Sequence, residues 1–213
     1  MKIGIIGATG KAGQEIVKEA QSRGHEVTAI VRDAQKVTDS SLAVLEKDVF
    51  HLQAEDIKGF DVIVNAFGAP AGREHLHVEA GKKLIDILKE APETRLIVVG
   101  GAGSLFVDEA KTTRLVDTPD FPKEYAATAS QQGENLKDLQ QTEGLKWTFL
   151  SPAAFFHPAG KRTGSYVKGK DHLIVNSKGD SYVSYADYAI ALVDEVEQAA
   201  HVGERFTVVS EAE

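Results

Sequence analysis

A chain of 213 residues with 42% hydrophobic and 26% charged side chains has the composition of an ordinary globular protein, long enough for one domain with a sizeable core. Its formal net charge of -8 argues against a duplex-binding face, so no nucleic-acid partner is expected. The lack of cysteine excludes disulfides, thiolate nucleophiles, cysteine-ligated zinc and iron–sulfur clusters, and suits a reducing cytoplasm. No run approaches the roughly 18 to 20 apolar residues of a membrane helix. The first apolar run is too short and too broken by Gly4 and Gly7 for a signal peptide, so a cytoplasmic location is expected.

That first run, Lys2 to Ile6, reads as a buried strand, and Ala12 to Arg23 as a helix with Ile16, Val17 and Ala20 inward. Between them stands Gly7-Ala8-Thr9-Gly10-Lys11-Ala12-Gly13. Gly7 suits the tight turn, Gly10 the approach of a pyrophosphate, and Gly13 the close packing of helix on strand; the free amides of the helix start attract phosphate. Because a second strand, Glu26 to Val31, follows in order, the motif has the context a dinucleotide site requires. Arg32 at the strand end suits the 2′-phosphate of NADP, whereas an acid there, for which Asp33 is placed, would take the 2′-hydroxyl of NAD. Arg32 comes first and favours NADP, with NAD kept open.

A third strand is expected over Leu42 to Leu45, ending near Asp48 and Val49, which stand where the adenine passes. Asp48 is equally suited to cap a short helix near Gln53 to Lys58. Phe60 to Asn65 is a fourth strand, so Ala66, Phe67 and Gly68 should run beside the cofactor. A helix from about Glu74 to Ala91 carries His75 and His77, whose spacing points them to different sides, and no metal site is expected. Arg95 to Gly100 is a fifth strand leading into Gly101-Ala102-Gly103-Ser104. The aperiodic stretch Leu105 to Lys123 is long enough to be a lid or pocket wall. A helix over Glu124 to Gln141, a strand over Lys146 to Leu150, a strand-like run at His172 to Val175, a helix over Ala186 to Ala199 and a strand over Arg205 to Val209 complete the pattern. The whole is expected to be a doubly wound, mainly parallel Rossmann-type α/β domain spanning residues 1–213, with a small substrate lobe at about residues 153–183. In that lobe Lys161 and Arg162 can hold a phosphate or carboxylate, Phe155 and Phe156 can stack on a planar ring, and His157 can line the pocket.

Several of these blocks, with Trp147-Thr148-Phe149-Leu150-Ser151-Pro152-Ala153, Arg162-Thr163-Gly164-Ser165-Tyr166 and Ser184-Tyr185-Ala186-Asp187, make the chain resemble the atypical short-chain dehydrogenase/reductases. Within them it is most similar to the NADH-flavin-reductase group, related to biliverdin-IXβ/flavin reductases and more distantly to NmrA-like proteins. The resemblance implies a nicotinamide held near Pro152 and Ala153, a catalytic Ser at Ser104 and a catalytic Tyr at Tyr125. The lysine expected four residues after that tyrosine is replaced by Ala129. Tyr166 and Lys170 have the right spacing, but Gly164 and Gly169 oppose the helix that would bring them together. Without the cation a tyrosine titrates near 10 and is a poor base. A flavin, quinone or other conjugated acceptor spreads the arriving charge and needs positioning more than acid catalysis, so hydride transfer from NADPH to a planar acceptor, FMN or FAD among them, is the expected function. A non-catalytic NmrA-like redox sensor and a sugar-nucleotide epimerase or dehydratase are the alternatives.

Overall fold

The computed structural model describes all 213 residues. The strands are β1 (Lys2–Ile6), β2 (Glu26–Val31), β3 (Ala43–Glu46), β4 (Val62–Asn65), β5 (Arg95–Val99), β6 (Trp147–Ser151), β7 (Phe155–His157), β8 (Val167–Gly169), β9 (Tyr182–Ser184) and β10 (Glu204–Val209). The helices are α1 (Lys11–Ser22), α2 (Ala54–Ile57), α3 (Leu76–Lys89), α4 (Lys123–Gln140) and α5 (Tyr185–Gln198). Eight strands form one sheet in the order β3-β2-β1-β4-β5-β6-β10-β8, parallel except for the β10–β8 pair, and β7 and β9 form a separate parallel pair. This is a Rossmann-like α/β fold.

Both faces of the sheet are covered, which is why its central strands are continuous apolar runs rather than alternating ones. Successive side chains on a strand point to opposite faces. Ile3 and Ile5 therefore join Ile16, Val17 and Ala20 of α1 and Leu192, Val193 and Val196 of α5 in one core. Ile6 joins Ile63, Leu96 and Val98 under Leu84 and Leu88 of α3 and Leu136 and Leu139 of α4 in the other. No helix is long and apolar enough to cross a membrane.

The sheet order reverses at β1, whose neighbours are β2 and β4, with Ile5 registered against Ala29 on one side and Val64 on the other. The loops leaving β1 and β4 therefore part at a topological switch point, where α/β sheets bind ligands outside their carboxyl ends.

One expectation is corrected here. His172 to Val175 is not a strand: the Phe106 amide donates to the Asp171 carbonyl at 2.8 Å and the Leu173 amide to the Phe106 carbonyl at 2.9 Å, so this run anchors the loop after β5. The sheet edge is instead β8, where Val208 is registered against Lys168. Its exposed Val167 and Lys168 carry no apolar pattern, because an edge strand lying over little core needs none. The long stretch from Leu105 to Lys123 folds back on itself, with the Leu115 amide donating to the Leu105 carbonyl at 2.8 Å, and Asp108 accepts from the amides of Thr112 and Thr113.

Candidate functional site: a cleft along the carboxyl edge of the sheet

The turn between β1 and α1 is built for close approach. Gly7 has φ of 74°, and a Cβ there would lie 2.3 Å from the Ala66 carbonyl oxygen. A Cβ on Gly13 would lie 2.1 Å from the Gly7 carbonyl oxygen. Glycine is required at both positions. Gly10 caps α1 without any side-chain hydrogen bond, and the amides of Lys11, Ala12 and Gly13 find no acceptor in the protein. Three unsatisfied donors at the positive end of a helix, at the wall of a cleft, fit a pyrophosphate.

The cleft has a volume of about 1140 Å³ and runs from the ends of β1, β2 and β3 across to those of β5 and β6. Its first half is cationic: Lys11, Arg32, Lys36 and Lys47 line it and no carboxylate does. Only Lys47 is ion-paired, to Asp56 at 2.8 Å. A side recess of about 210 Å³ is bounded by Thr9, Arg32, Asp33 and Lys36. Asp33 accepts from the Gln35 amide at 3.0 Å and so caps the short turn Ala34–Lys36 that presents Lys36.

In the middle, Asn65 accepts from the Phe67 amide at 3.1 Å and so fixes the loop after β4. Phe67 stands edge-on to His77, with ring centroids 5.7 Å apart. Burial pushes the His77 pKa down against the opposing pull of Glu74, so the ring is neutral at pH 7. The second half contains Gly100 to Gly103, Leu115, Phe121, Pro122, Tyr125, Thr128, Ala129, Gln132, Pro152 to Phe156, Pro158 and Tyr185, with no charged side chain.

A family model described as NAD(P)H-binding matches residues 7–199, from the first glycine of the turn to the end of α5. The chain belongs to this NAD(P)H-binding family. It is 76% identical to the uncharacterised Bacillus subtilis protein YwnB over the whole of both chains. A Streptococcus pneumoniae structure named as a candidate NADH-flavin reductase superposes with a TM-score of 0.94 at 45% identity, covering 99% of this chain and all of that one. A phenylcoumaran benzylic ether reductase of Nicotiana tabacum is 24% identical over 84% of this chain, which spans 58% of that longer protein. This NAD(P)H-binding chain is thus related to oxidoreductases.

Of the residues singled out in the sequence, Gly7, Thr9, Gly10, Lys11, Ala12, Gly13, Arg32, Val49, Ala66, Phe67, Gly68, Pro152 and Ala153 all line this one cleft. Asp48 does not; it accepts from the Phe50 amide at 2.9 Å and caps the turn Val49–His51, leaving Lys47 and Val49 to face the cleft. Tyr125 lines the cleft from the first turn of α4 and Ala129 lies one turn further on, so no cation accompanies that phenol. Ser104 stands behind the wall: its Oγ accepts from Arg205 Nη1 at 2.9 Å. Arg205 is only 4% exposed, and a buried guanidinium recruits every acceptor within reach, here Ser104, Ser151 and Asp171.

The basic pair after β7 is also elsewhere. Arg162 binds Glu19 of α1 at 2.6 Å, and neither it nor Lys161 lines the cleft. Tyr166 donates to Asp194 at 2.6 Å and Lys170 faces Glu204 at 3.8 Å, so these two serve different partners. His157 packs on Phe155 and Tyr182 instead of facing the cleft. Sequence reasoning missed Lys36, Lys47, His77, Gln132 and Tyr185. Only Lys36, one turn beyond Arg32 and behind a capping Asp33, had a local signal.

Proposed function

We propose that this protein is a cytoplasmic, NADPH-preferring reductase that passes hydride to a flavin such as FMN or FAD, a quinone or another conjugated acceptor. The observation that carries the reading is the polarity of one cleft: a cationic half with free helix amides, continuous with an uncharged half that holds a tyrosine but no lysine beside it. When bound, the reduced nicotinamide supplies the hydride. The chain's own part is to hold the pyrophosphate on the Lys11 to Gly13 amides, to hold the 2′-phosphate between Arg32 and Lys36, and to exclude water with Leu115, Phe121 and Pro122. Residues from about 153 to 183 act as the acceptor-side lobe, contributing Ala153 to Phe156 and Pro158 to the cleft.

The test is oxidation of NADPH and NADH by the purified protein with FMN, FAD and menadione, alongside cofactor titration. Turnover that depends on the acceptor is expected. Arg32→Ala should weaken NADPH by about tenfold or more, the size of a charge-assisted hydrogen bond, and leave NADH nearly unchanged. No oxidation of either cofactor with any acceptor would overturn the reading. Tight cofactor binding without turnover would favour the redox sensor, which Ala129 in place of the lysine also suits. A sensor must then bind the oxidised and reduced forms differently, since only differential affinity shifts a population.

A further inference from the structure

We propose that Tyr185 donates the hydrogen bond that holds the acceptor, and that the acceptor is recognised as an uncharged planar ring, with nothing in the uncharged half of the cleft to read a phosphate on it. This rests on the reductase reading and names the substrate class of the same site. Ser184 caps α5 by accepting from the Asp187 amide at 3.0 Å, which fixes Tyr185 as the first residue of the helix. The ring is held by Phe156, with centroids 4.0 Å apart. Phe156 rests in turn on the buried Tyr188 at 4.7 Å. Tyr188 donates to the Leu150 carbonyl and Tyr166 to Asp194, whereas the Tyr185 hydroxyl has no partner in the protein and its side chain lines the cleft. A half-buried phenol packed on Phe156, with its hydroxyl unpaired in the protein and its side chain lining the cleft, is free to donate to a ligand there.

Burial pushes the Tyr185 pKa up, with Tyr125 adding to it, so the hydroxyl keeps its proton at neutral pH and donates. That polarity suits a carbonyl oxygen or ring nitrogen on which negative charge gathers during reduction. The surrounding surface is aromatic and neutral: Phe155, Phe156 and Phe121 offer faces, Thr128 and Gln132 offer uncharged hydrogen bonds, and the cations stay in the other half. The shared chemistry is a flat, conjugated, carbonyl-bearing ring, found both in riboflavin and in a small quinone.

The experiment is equilibrium binding to the protein saturated with NADP⁺, where no turnover occurs. Quenching of riboflavin and FMN fluorescence gives their affinities, and menadione is assayed by displacement of riboflavin. Riboflavin and FMN should bind within about twofold of each other, because no cation meets the phosphate. Displacement by menadione would extend the ring class to quinones, and its failure would confine it to flavins. Tyr185→Phe removes only the unused hydroxyl; it should weaken riboflavin about three- to tenfold, the range of one net hydrogen bond. Its NADPH affinity and thermal midpoint should equal those of the wild type. FMN bound tenfold more tightly than riboflavin, an unchanged riboflavin affinity in Tyr185→Phe, or no saturable binding of riboflavin would each overturn the proposal. Failure of the reductase reading shows separately, as absence of NADPH oxidation with every acceptor.

Discussion

His77 is the one titrating side chain in the wall of the cleft that changes charge near neutrality, and its burial sets the sign of a pH effect. The folded-state pKa lies below the ordinary value of about 6.5, so on acidification the unfolded chain takes up the proton first. Stability attributable to this residue is therefore complete above about pH 7, falls as the pH passes through about 6.5, and stops falling below the folded pKa. His77→Gln keeps an acceptor near the Ala69 amide, 3.4 Å from Nε2, without the titration. Urea unfolding at pH 8 and at pH 5 should show a smaller loss for the variant than for the wild type, and parallel losses would mean that His77 is not desolvated. The same scale shows what a sequence conceals. Ser104 sits at the expected place after β5, yet its oxygen accepts from Arg205, 101 residues away, and the side chain does not line the cleft; no local pattern announces a buried arginine. The glycines were legible because a turn leaves its demand on the backbone in the sequence itself, whereas Tyr185 was hidden by an adequate structural explanation, the cap on α5.

Elements were legible in proportion to how their burial writes a pattern. The strand reading of Lys2 to Ile6 and of Glu26 to Val31 coincides with β1 and β2, because both faces of these strands meet a helix layer. The short pair β7 and β9 and the edge strand β8 escaped, having too few residues to show a period. Within these elements one polar contact joins α5 to the end of the sheet opposite the cleft. Arg95 of β5 donates to the Glu195 carboxylate and, at 2.9 Å, to the Glu195 carbonyl, while His201 Nδ1 lies 2.7 Å from the same carboxylate. Both side chains of the pair are less than a tenth exposed. Burial alone would raise the Glu195 pKa, but the hydrogen bonds from His201 and Arg95 outweigh it and lower it, so the carboxylate is charged. Glu195→Gln leaves the guanidinium buried without its counter-charge, which costs about 3 to 5 kcal/mol. At roughly 2 to 4 °C per kcal/mol for a chain of this size, thermal unfolding should come about 10 °C earlier, with NADPH affinity of the folded variant unchanged. A drop of less than about 2 °C would show that α5 is held by its apolar face alone.

Across the whole molecule, 32 acidic residues outnumber 24 basic ones, yet the cleft is lined by four cations and no carboxylate. An anionic ligand thus approaches a chain of like sign and is admitted only where positive charge is concentrated at short range. Salt screens both effects, with a Debye length of about 10 Å at 0.1 M. On the proposed reading the ligand phosphates would rest in the cationic half lined by Lys11, Arg32 and Lys36, so local attraction would govern the equilibrium and added salt should weaken binding. NADPH differs from NADH by one phosphate, and the recess that would receive it is bounded by Thr9, Asp33 and the two cations Arg32 and Lys36. Dissociation constants measured between about 0.05 and 0.5 M NaCl should therefore rise more steeply for NADPH than for NADH. In Arg32→Ala the NADPH slope should fall toward that of NADH, because one of the two charges proposed to read the extra phosphate is gone. Equal slopes for the two cofactors in the wild type would remove Arg32 and Lys36 from phosphate recognition and, with them, the physical basis for preferring NADPH.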